Sequence, residues 1–313
     1  MLSFVLKRIG SGILLVFVIS SLTFAMLRMT GQDVARTIVG QTASAEVVAA
    51  KRAELGLDQP LLVQYGNWLA QMARGDFGSS WLTGNDVLTS LSDRLPVTLS
   101  IVIAGLLLSA IFSVLLGVAA ALRGGWLDRA VQVLGVVGFA VPSFLVALVL
   151  TYYVAVSWNW LPATGFVKFG ESPVEWMRSI TLPAISLAIG AMAATAQQIR
   201  GSMVDVLRMD YVRTLRARGL PSRSILYKHA LRNAAPAGLT VLSLQFIAMM
   251  GGAVIVEKVF ALQGIGTMAN NAATAGDSPE LMGVVVLMVA IVVLINLLLD
   301  VAFGLLNPKV RVS

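Results

Sequence analysis

Residues 97–122 read VTLSIVIAGLLLSAIFSVLLGVAAAL, an unbroken apolar run without a single charge. A helix needs about 20 mostly apolar residues to cross a bilayer core, and this run exceeds that length. Five further stretches follow the same rule: 9–28, 131–156, 180–199, 237–256 and 281–306. Those at 180–199 and 237–256 are the less purely apolar, carrying Gln197, Gln198 and Gln245. The composition agrees with such a reading. Hydrophobic residues make up 57% of the 313 and charged residues only 12%, whereas a soluble domain carries roughly a quarter charged residues. The expected fold is therefore an all-α integral membrane protein with six transmembrane helices.

Composition also excludes several chemistries. There is no Cys, so disulfide frameworks, thiolate metal sites and cysteine nucleophiles are absent. A single His, His229, excludes a multi-histidine metal centre. The nearest approach to a nucleotide-binding loop, Gly165-Phe166-Val167-Lys168-Phe169-Gly170-Glu171, has Glu where the phosphate-binding Lys must stand. There is no potassium-filter TVGYG sequence and no arginine-rich sensor helix.

Orientation follows from Lys and Arg, which concentrate on the cytoplasmic side. With the N-terminus in the cytoplasm, 14 of the 23 Lys and Arg are cytoplasmic, eight of them in 200–236. The net charge of +7 thus points to membrane topology rather than to nucleic acid. Both termini are expected inside. The first span, after Lys7 and Arg8, is expected to be a retained anchor, since its apolar stretch is long for a signal peptide and no cleavage site precedes Arg28. The expected organisation is 1–28 for the N-terminal segment and first helix, and 29–96 for an extracytoplasmic helical segment. Residues 97–306 hold helices two to six with a cytoplasmic loop at 200–236, and 307–313 form a cytoplasmic tail.

In the outer segment, Gly56-Leu57-Asp58-Gln59-Pro60 is a helix stop followed by a helix start: Gly suits the position after a helix, Asp the N-cap and Pro the first turn. Leu61, Leu62, Tyr65, Trp68, Leu69 and Met72 then recur at helical spacing. Two readings stand: a helix lying at the membrane interface, and a lid over the outer mouth of a pathway.

The stretch 200–236 predicts a short helix over 211–218, N-capped by Asp210, ended by Gly219 in the left-handed conformation and stopped by Pro221. Leu207, Tyr211 and Leu215, four apart, are expected on one face. A second helical piece is expected over 222–233, before Pro236 leads into the fifth span. A two-turn helix is not stable alone in water, so its apolar face requires a groove from this chain or from a partner. Three readings compete for the stretch: a solvated basic loop, a patch for anionic lipid headgroups, and a docking element for a cytoplasmic subunit.

Within the spans, Pro142 removes the helical donor to the Gly138 carbonyl and predicts a kink, static or acting as a gating hinge. Gly251-Gly252, and Gly117 with Ala121, would allow close helix approach. Asp300, with Asn296 one turn earlier, is the acid within a proposed span; it serves either as a helix-bonding group or as a functional one. A solitary acid argues against a proton-driven carrier.

Taken in order, the motifs form a pattern. Asp210-Tyr211-Val212-Arg213-Thr214, then, past Leu215 and Arg216, Ala217-Arg218-Gly219-Leu220 and His229-Ala230-Leu231-Arg232-Asn233-Ala234 are followed by Gly251-Gly252-Ala253-Val254, Glu257-Lys258-Val259-Phe260, Gly264-Ile265-Gly266 and Asn296-Leu297-Leu298-Leu299-Asp300. Upstream stand Leu55-Gly56-Leu57-Asp58-Gln59-Pro60 with Gln64-Tyr65, Gly75-Asp76-Phe77-Gly78, Arg94-Leu95-Pro96-Val97-Thr98-Leu99 and Val141-Pro142-Ser143-Phe144. This order resembles the permease subunits of the dipeptide, oligopeptide and nickel group of ABC importers, over essentially the whole chain. The long segment after the first span is similar to the first of that group's two permease types.

The resemblance implies a type I ABC importer permease fold and a non-catalytic subunit moving short peptides. Nickel, glutathione or another small solute is the alternative cargo. A self-sufficient carrier or channel is the rival of another class. The resemblance implies as partners a homologous second permease, two cytoplasmic ATPases, an extracytoplasmic substrate-binding protein and membrane lipid. No cofactor is expected on this chain, ATP and Mg2+ belonging to the ATPases. The short helix, with Leu207 and residues 210–219, becomes the coupling helix seated in an ATPase groove and ending at Gly219. The family usually has a small Ala where this chain has Leu215, so the cognate ATPase should offer a larger hole. The candidate pathway or gate residues are Pro142, Gln197, Gln198, Gln245 and Glu257, the three glutamines equally suited to bonding helix to helix.

Overall fold

The computed structural model describes residues 2–29 and 33–306. The tail at 307–313 and the Asp300 side chain lie outside the described residues. The described chain is helical, its one β feature being an isolated bridge between Ser79 and Asp86. Five helices are long and apolar enough to cross a membrane: Gly10–Met29, Val87–Arg123, Pro173–Arg208, Ser222–Val259 and Ser278–Leu299. The pair Gly125–Gly138 and Ser143–Ser157, bent by 98°, would be the sixth as one broken span.

In chain order the helices are α1 (Leu2–Met29), α2 (Val34–Val39), α3 (Ala45–Glu54), α4 (Leu61–Met72), α5 (Val87–Arg123), α6 (Gly125–Ala140) and α7 (Ser143–Leu150). There follow α8 (Pro173–Arg208), α9 (Asp210–Ala217), α10 (Ser222–Ser224), α11 (Leu231–Val259), α12 (Ile265–Ala275) and α13 (Ser278–Leu306). Two wider π turns, Thr151–Ser157 and Ile225–Ala230, extend α7 and join α10 to α11. The described residues form two compact units, one of 99–262 with 294–306, the other of 2–98 with 263–293.

In the first unit α8 is the central element, with buried residues recurring along it from Ser179 to Val206. Lipid offers no hydrophobic drive between helices, so their association depends on close packing, which small residues permit. A Cβ on Gly105 or Gly117 of α5 would lie 3.1 and 2.8 Å from the Ala184 and Ala196 carbonyl oxygens. One on Gly138 of α6 would lie 2.7 Å from the Ala193 Cβ, and one on Gly238 of α11 2.7 Å from Ile199. The expectation for Gly117 holds. At Gly251 a methyl meets nothing of the described residues within 4 Å, and one on Gly252 would lie in ordinary contact, 3.6 Å from Leu187 and Ser143.

Polar bonds reinforce the same crossings. Ser109 donates to the Ala188 carbonyl at 3.1 Å. The Arg200 guanidinium grips both oxygens of Asp128 on α6, each at 2.6 Å. Such a two-pronged arginine–carboxylate pair fixes direction as well as proximity.

The third span is broken rather than kinked. A residue before proline is pushed out of the α region, and Val141 accordingly has ψ 116°. Helix α6 therefore ends at Ala140, and Pro142 opens α7 with ψ 139°.

The second unit packs Val87 and Leu91 of α5 against Ile265 and Met268 of α12 and Val284 of α13. The Ile265 N–H is satisfied by the Thr98 hydroxyl at 2.8 Å. Helix α4 lies on α1 through Tyr65, whose hydroxyl bonds Ser20 and Ser21 at 2.9 and 2.8 Å while its ring meets Phe24. Gly56 ends α3 with φ +66°, as expected, and the Leu57 N–H returns to the Arg52 carbonyl. Asp58, however, does not cap α4: Pro60 occupies that position without a side-chain cap bond. Helix α5 begins at Val87 and carries Pro96 inside it, so the last ten residues of the expected outer segment already belong to a long helix.

Candidate functional site

Helix α8 ends at Arg208 because Met209 is extended, with ψ 148°, and the chain turns into α9. Asp210 is thus the first residue of α9 rather than its N-cap. Its carboxylate stands at the positive end of the helix dipole but makes no cap bond. At the other end Gly219 takes φ +76°, and the Leu220 and Gly219 N–H groups return to the Leu215 and Arg216 carbonyls at 3.3 and 2.9 Å. This paired closure requires a left-handed residue after the helix, which glycine adopts at least cost.

The break at Met209 also corrects the expected apolar face. Leu207 belongs to α8, so it is not one helical turn before Tyr211 on a common helix. The covered side of α9 consists of Tyr211, Val212 and Leu215, with Val212 0% exposed. Leu207 and Tyr211 pack instead on one shared cluster of Ile199, Met203, Val206, Ala230 and Ala234. Asn233 donates to the Tyr211 hydroxyl at 2.9 Å, tying the helix back to α11. The groove that a two-turn helix needs is supplied by this chain.

What remains outward is polar and small. Asp210, Arg213, Thr214 and Ala217 repeat at helical spacing and are exposed, as are Arg216, Arg218 and Gly219. Arg213 and Asp210 pair at 3.3 Å across that face. The expected second helical piece is not separate: α10, the π turn and α11 run on as Ser222–Val259, with Pro236 inside the helix. Tyr227, Lys228, His229 and Arg232 edge a cavity of about 810 Å³ whose wall includes apolar Ala110, Val114 and Leu242.

The pathway candidates separate into groups. Pro142 and Gln245 come together on a cavity of about 220 Å³, together with Ser143, Gly190 and Gly252. Gln197 is half-buried and donates to the Gln132 carbonyl of α6 at 2.9 Å, a helix-to-helix bond. Gln198 is exposed. Glu257 is fully buried near the end of α11, away from that cavity. Reading the sequence missed the Arg200–Asp128 pair. An Arg at the end of one span and an Asp at the start of another are a detectable signal, but one consistent with many partners.

Long apolar helices crossing at glycines, with a short helix that displays only its polar face between two of them, define a multi-pass membrane protein of the transport-permease class. Residues 113–312 match the family described as binding-protein-dependent transport system inner membrane component, and residues 1–102 match the N-terminal component of such transport systems. The chain belongs to this family and is an inner-membrane permease. It is 38% identical over 309 residues to a probable peptide ABC transporter permease of Sinorhizobium fredii, covering 98% of this chain and 99% of that one. It is 37% identical over 312 residues to a putative peptide transport system permease of Brucella abortus, covering 99% of each. A glutathione transport system permease of Salmonella typhimurium is 35% identical over 312 residues, again covering 99% of each.

Proposed function

We propose that this chain is the transmembrane subunit of an ATP-driven importer of short peptides, with both termini in the cytoplasm. It works with a homologous second permease, two cytoplasmic ATPases and an extracytoplasmic binding protein. It catalyses no reaction and holds no cofactor, ATP and Mg2+ being bound by the ATPases. The peptide cargo is supported by the two peptide-transport relatives, and glutathione, itself a small peptide, by the third.

The observation that carries the reading is the disposition of α9. Its apolar side is covered by its own chain, so the helix is held in place before any partner arrives, and its polar side with Arg213, Thr214 and Ala217 is presented outward. That side is what an ATPase groove would receive. Leu215 lies half-buried beside Val212, and the part left exposed is what a larger hole in the ATPase would receive. ATP binding would draw the two ATPases together, and α9 would carry that movement into α8 and α11. ATP acts here through differential contacts in two states. Pro142 and Gln245 on their shared cavity are the candidates for the gate.

Affinity purification in mild detergent tests the reading. Two ATPase polypeptides and a second permease are expected with the chain, and a cysteine at Arg213 should cross-link to an ATPase. Gly219→Asp should uncouple transport while leaving insertion intact. Uptake by the purified chain alone in liposomes would overturn the proposal in favour of a self-sufficient carrier.

A further inference from the structure

In the second unit, the last turn of α1, helix α4, the loop before α5 and the start of α13 enclose a separate cavity of about 320 Å³. This is at the small end of the roughly 300–1,000 Å³ range of ligand sites. Two of the donors on its lining are left without a partner. The Arg28 guanidinium is half-buried, sits over the Phe24 and Trp81 rings at 5.2 and 5.9 Å, and gives one bond to the Gln64 side-chain oxygen at 2.5 Å. Its buried Nε has no acceptor, nor has the buried indole Nε1 of Trp68 on the same cavity.

The acid on the lining, Glu54, is engaged by Lys51 at 2.7 Å. Among the described residues no carboxylate pairs with Arg28. A partly desolvated cation and two unmet donors are costly to leave without acceptors. The walls are preorganised as well: the Trp81 backbone N–H donates to Asp277 at 3.3 Å, holding the loop that carries the ring, and Gln64 donates to the Gln59 carbonyl at 2.7 Å.

We propose that this cavity is a binding site for the terminal carboxylate of a small solute, held by the Arg28 guanidinium between aromatic faces. A planar carboxylate supplies two acceptors to an arginine fork, and the side-chain amides nearby suit peptide groups. The importer reading supplies only the bearer of that carboxylate, a short peptide. With Arg28 released from Gln64, its fork would be free to take the carboxylate.

The test uses the full-length purified chain in phosphatidylcholine nanodiscs, titrated with glycylglycine and with its C-terminal amide. The free carboxylate should bind about tenfold to a hundredfold more tightly than the amide. Arg28→Gln should erase that preference, and Arg28→Lys should retain part of it. Should Arg28→Gln fail to fold, Gln64→Leu serves instead: by freeing the guanidinium it should alter carboxylate affinity and leave the amide unchanged. Equal affinity for the two ligands, or a preference that survives Arg28→Gln, would overturn the site. So would an Arg28-dependent signal that follows phosphatidylglycerol content, or one that requires an added binding protein. Loss of ATPase co-purification would sink the importer reading and leave this result standing. A missing carboxylate preference would do the reverse.

Discussion

Ser80 donates a 2.5 Å hydrogen bond to the carboxylate of Asp277, 197 positions further along the chain. Asp277 is fully buried, and it also accepts from the Leu82 N–H at 3.4 Å and the Glu280 N–H at 3.4 Å. One carboxylate thereby caps α13 and pins the loop that carries Trp81. Hydrogen bonds to a charged group contribute roughly 1.5–3 kcal/mol each, and losing a buried partner strands the donors. Asp277→Ala is expected to lower stability by about 2–4 kcal/mol, read as a drop in melting temperature in detergent. Proteolysis should strike first near residues 78–86, and Asp277→Asn should be milder.

At Gly219 a side chain meets no atom of this chain within 4 Å, so within the chain the backbone conformation is what a substitution disturbs. The left-handed conformation costs an ordinary residue roughly 1–2 kcal/mol, and Asn tolerates it best. Coupling, measured as substrate-stimulated ATPase activity of the reconstituted importer, should fall in the order Gly, Asn, Ala, Val. An equal loss with Asn and Val would show that size rather than φ governs the site.

Gly117 and Gly251 make a matched pair of opposite expectation. Gly117→Leu drives a Cβ to 2.8 Å from the Ala196 carbonyl, against backbone that cannot swing aside. Overpacking of this kind costs about 1–3 kcal/mol or more, visible as a reduced melting temperature. Gly251→Ala, with open space around it, should be silent in the isolated chain. A defect appearing only in the assembled importer would place Gly251 at a subunit contact.

The Arg200–Asp128 pair predicts a coupling that single mutants cannot reveal. The two side chains are 28% and 17% exposed, so breaking the pair leaves a partly desolvated charge. Arg200→Ala and Asp128→Ala should each lower stability modestly, with the double mutant losing less than their sum. Additive losses in a double-mutant cycle would show that the pair contributes no interaction of its own.

Asp33 provides a pH-dependent contact outside the spans. The Arg52 guanidinium bonded at 2.6 Å, aided by the Arg36 N–H, holds its carboxyl below the usual carboxylate range. A depressed folded value means stability present above the unfolded value of about 3.9 and lost as pH falls through the folded one. Hydrogen-exchange protection of 34–54 should therefore decline modestly in acid. In Arg52→Gln that decline should shrink, since the larger cause of the shift is gone.

Much of this protein was legible along the chain. Near-absence of charge in 97–122 leaves a helix no environment but lipid or protein, and Gly56 and Gly219 announce helix ends because left-handed backbone is a local property. Proline was read with the wrong consequence twice. Pro142 breaks its span outright because Val141 cannot stay helical before it, while Pro236, expected to precede a span, lies within one. Asp210 and Asp58 were poor guides to helix starts, because a cap forms only if the preceding backbone leaves its carboxylate over the first turn.

Pairings across the chain were beyond any local pattern. That Gly117 meets Ala196, that Asp277 answers Ser80, and that Arg28 is left with Gln64 and two aromatic rings depend on distances between segments far apart in sequence. Residue order by itself determined the class, the spans and the short helix, since hydrophobicity, turn chemistry and helix caps act over a few neighbouring residues. Which side of that helix is covered, which glycines touch, and where donors lack acceptors were decided only by the tertiary structure, because packing and hydrogen bonding are satisfied in space.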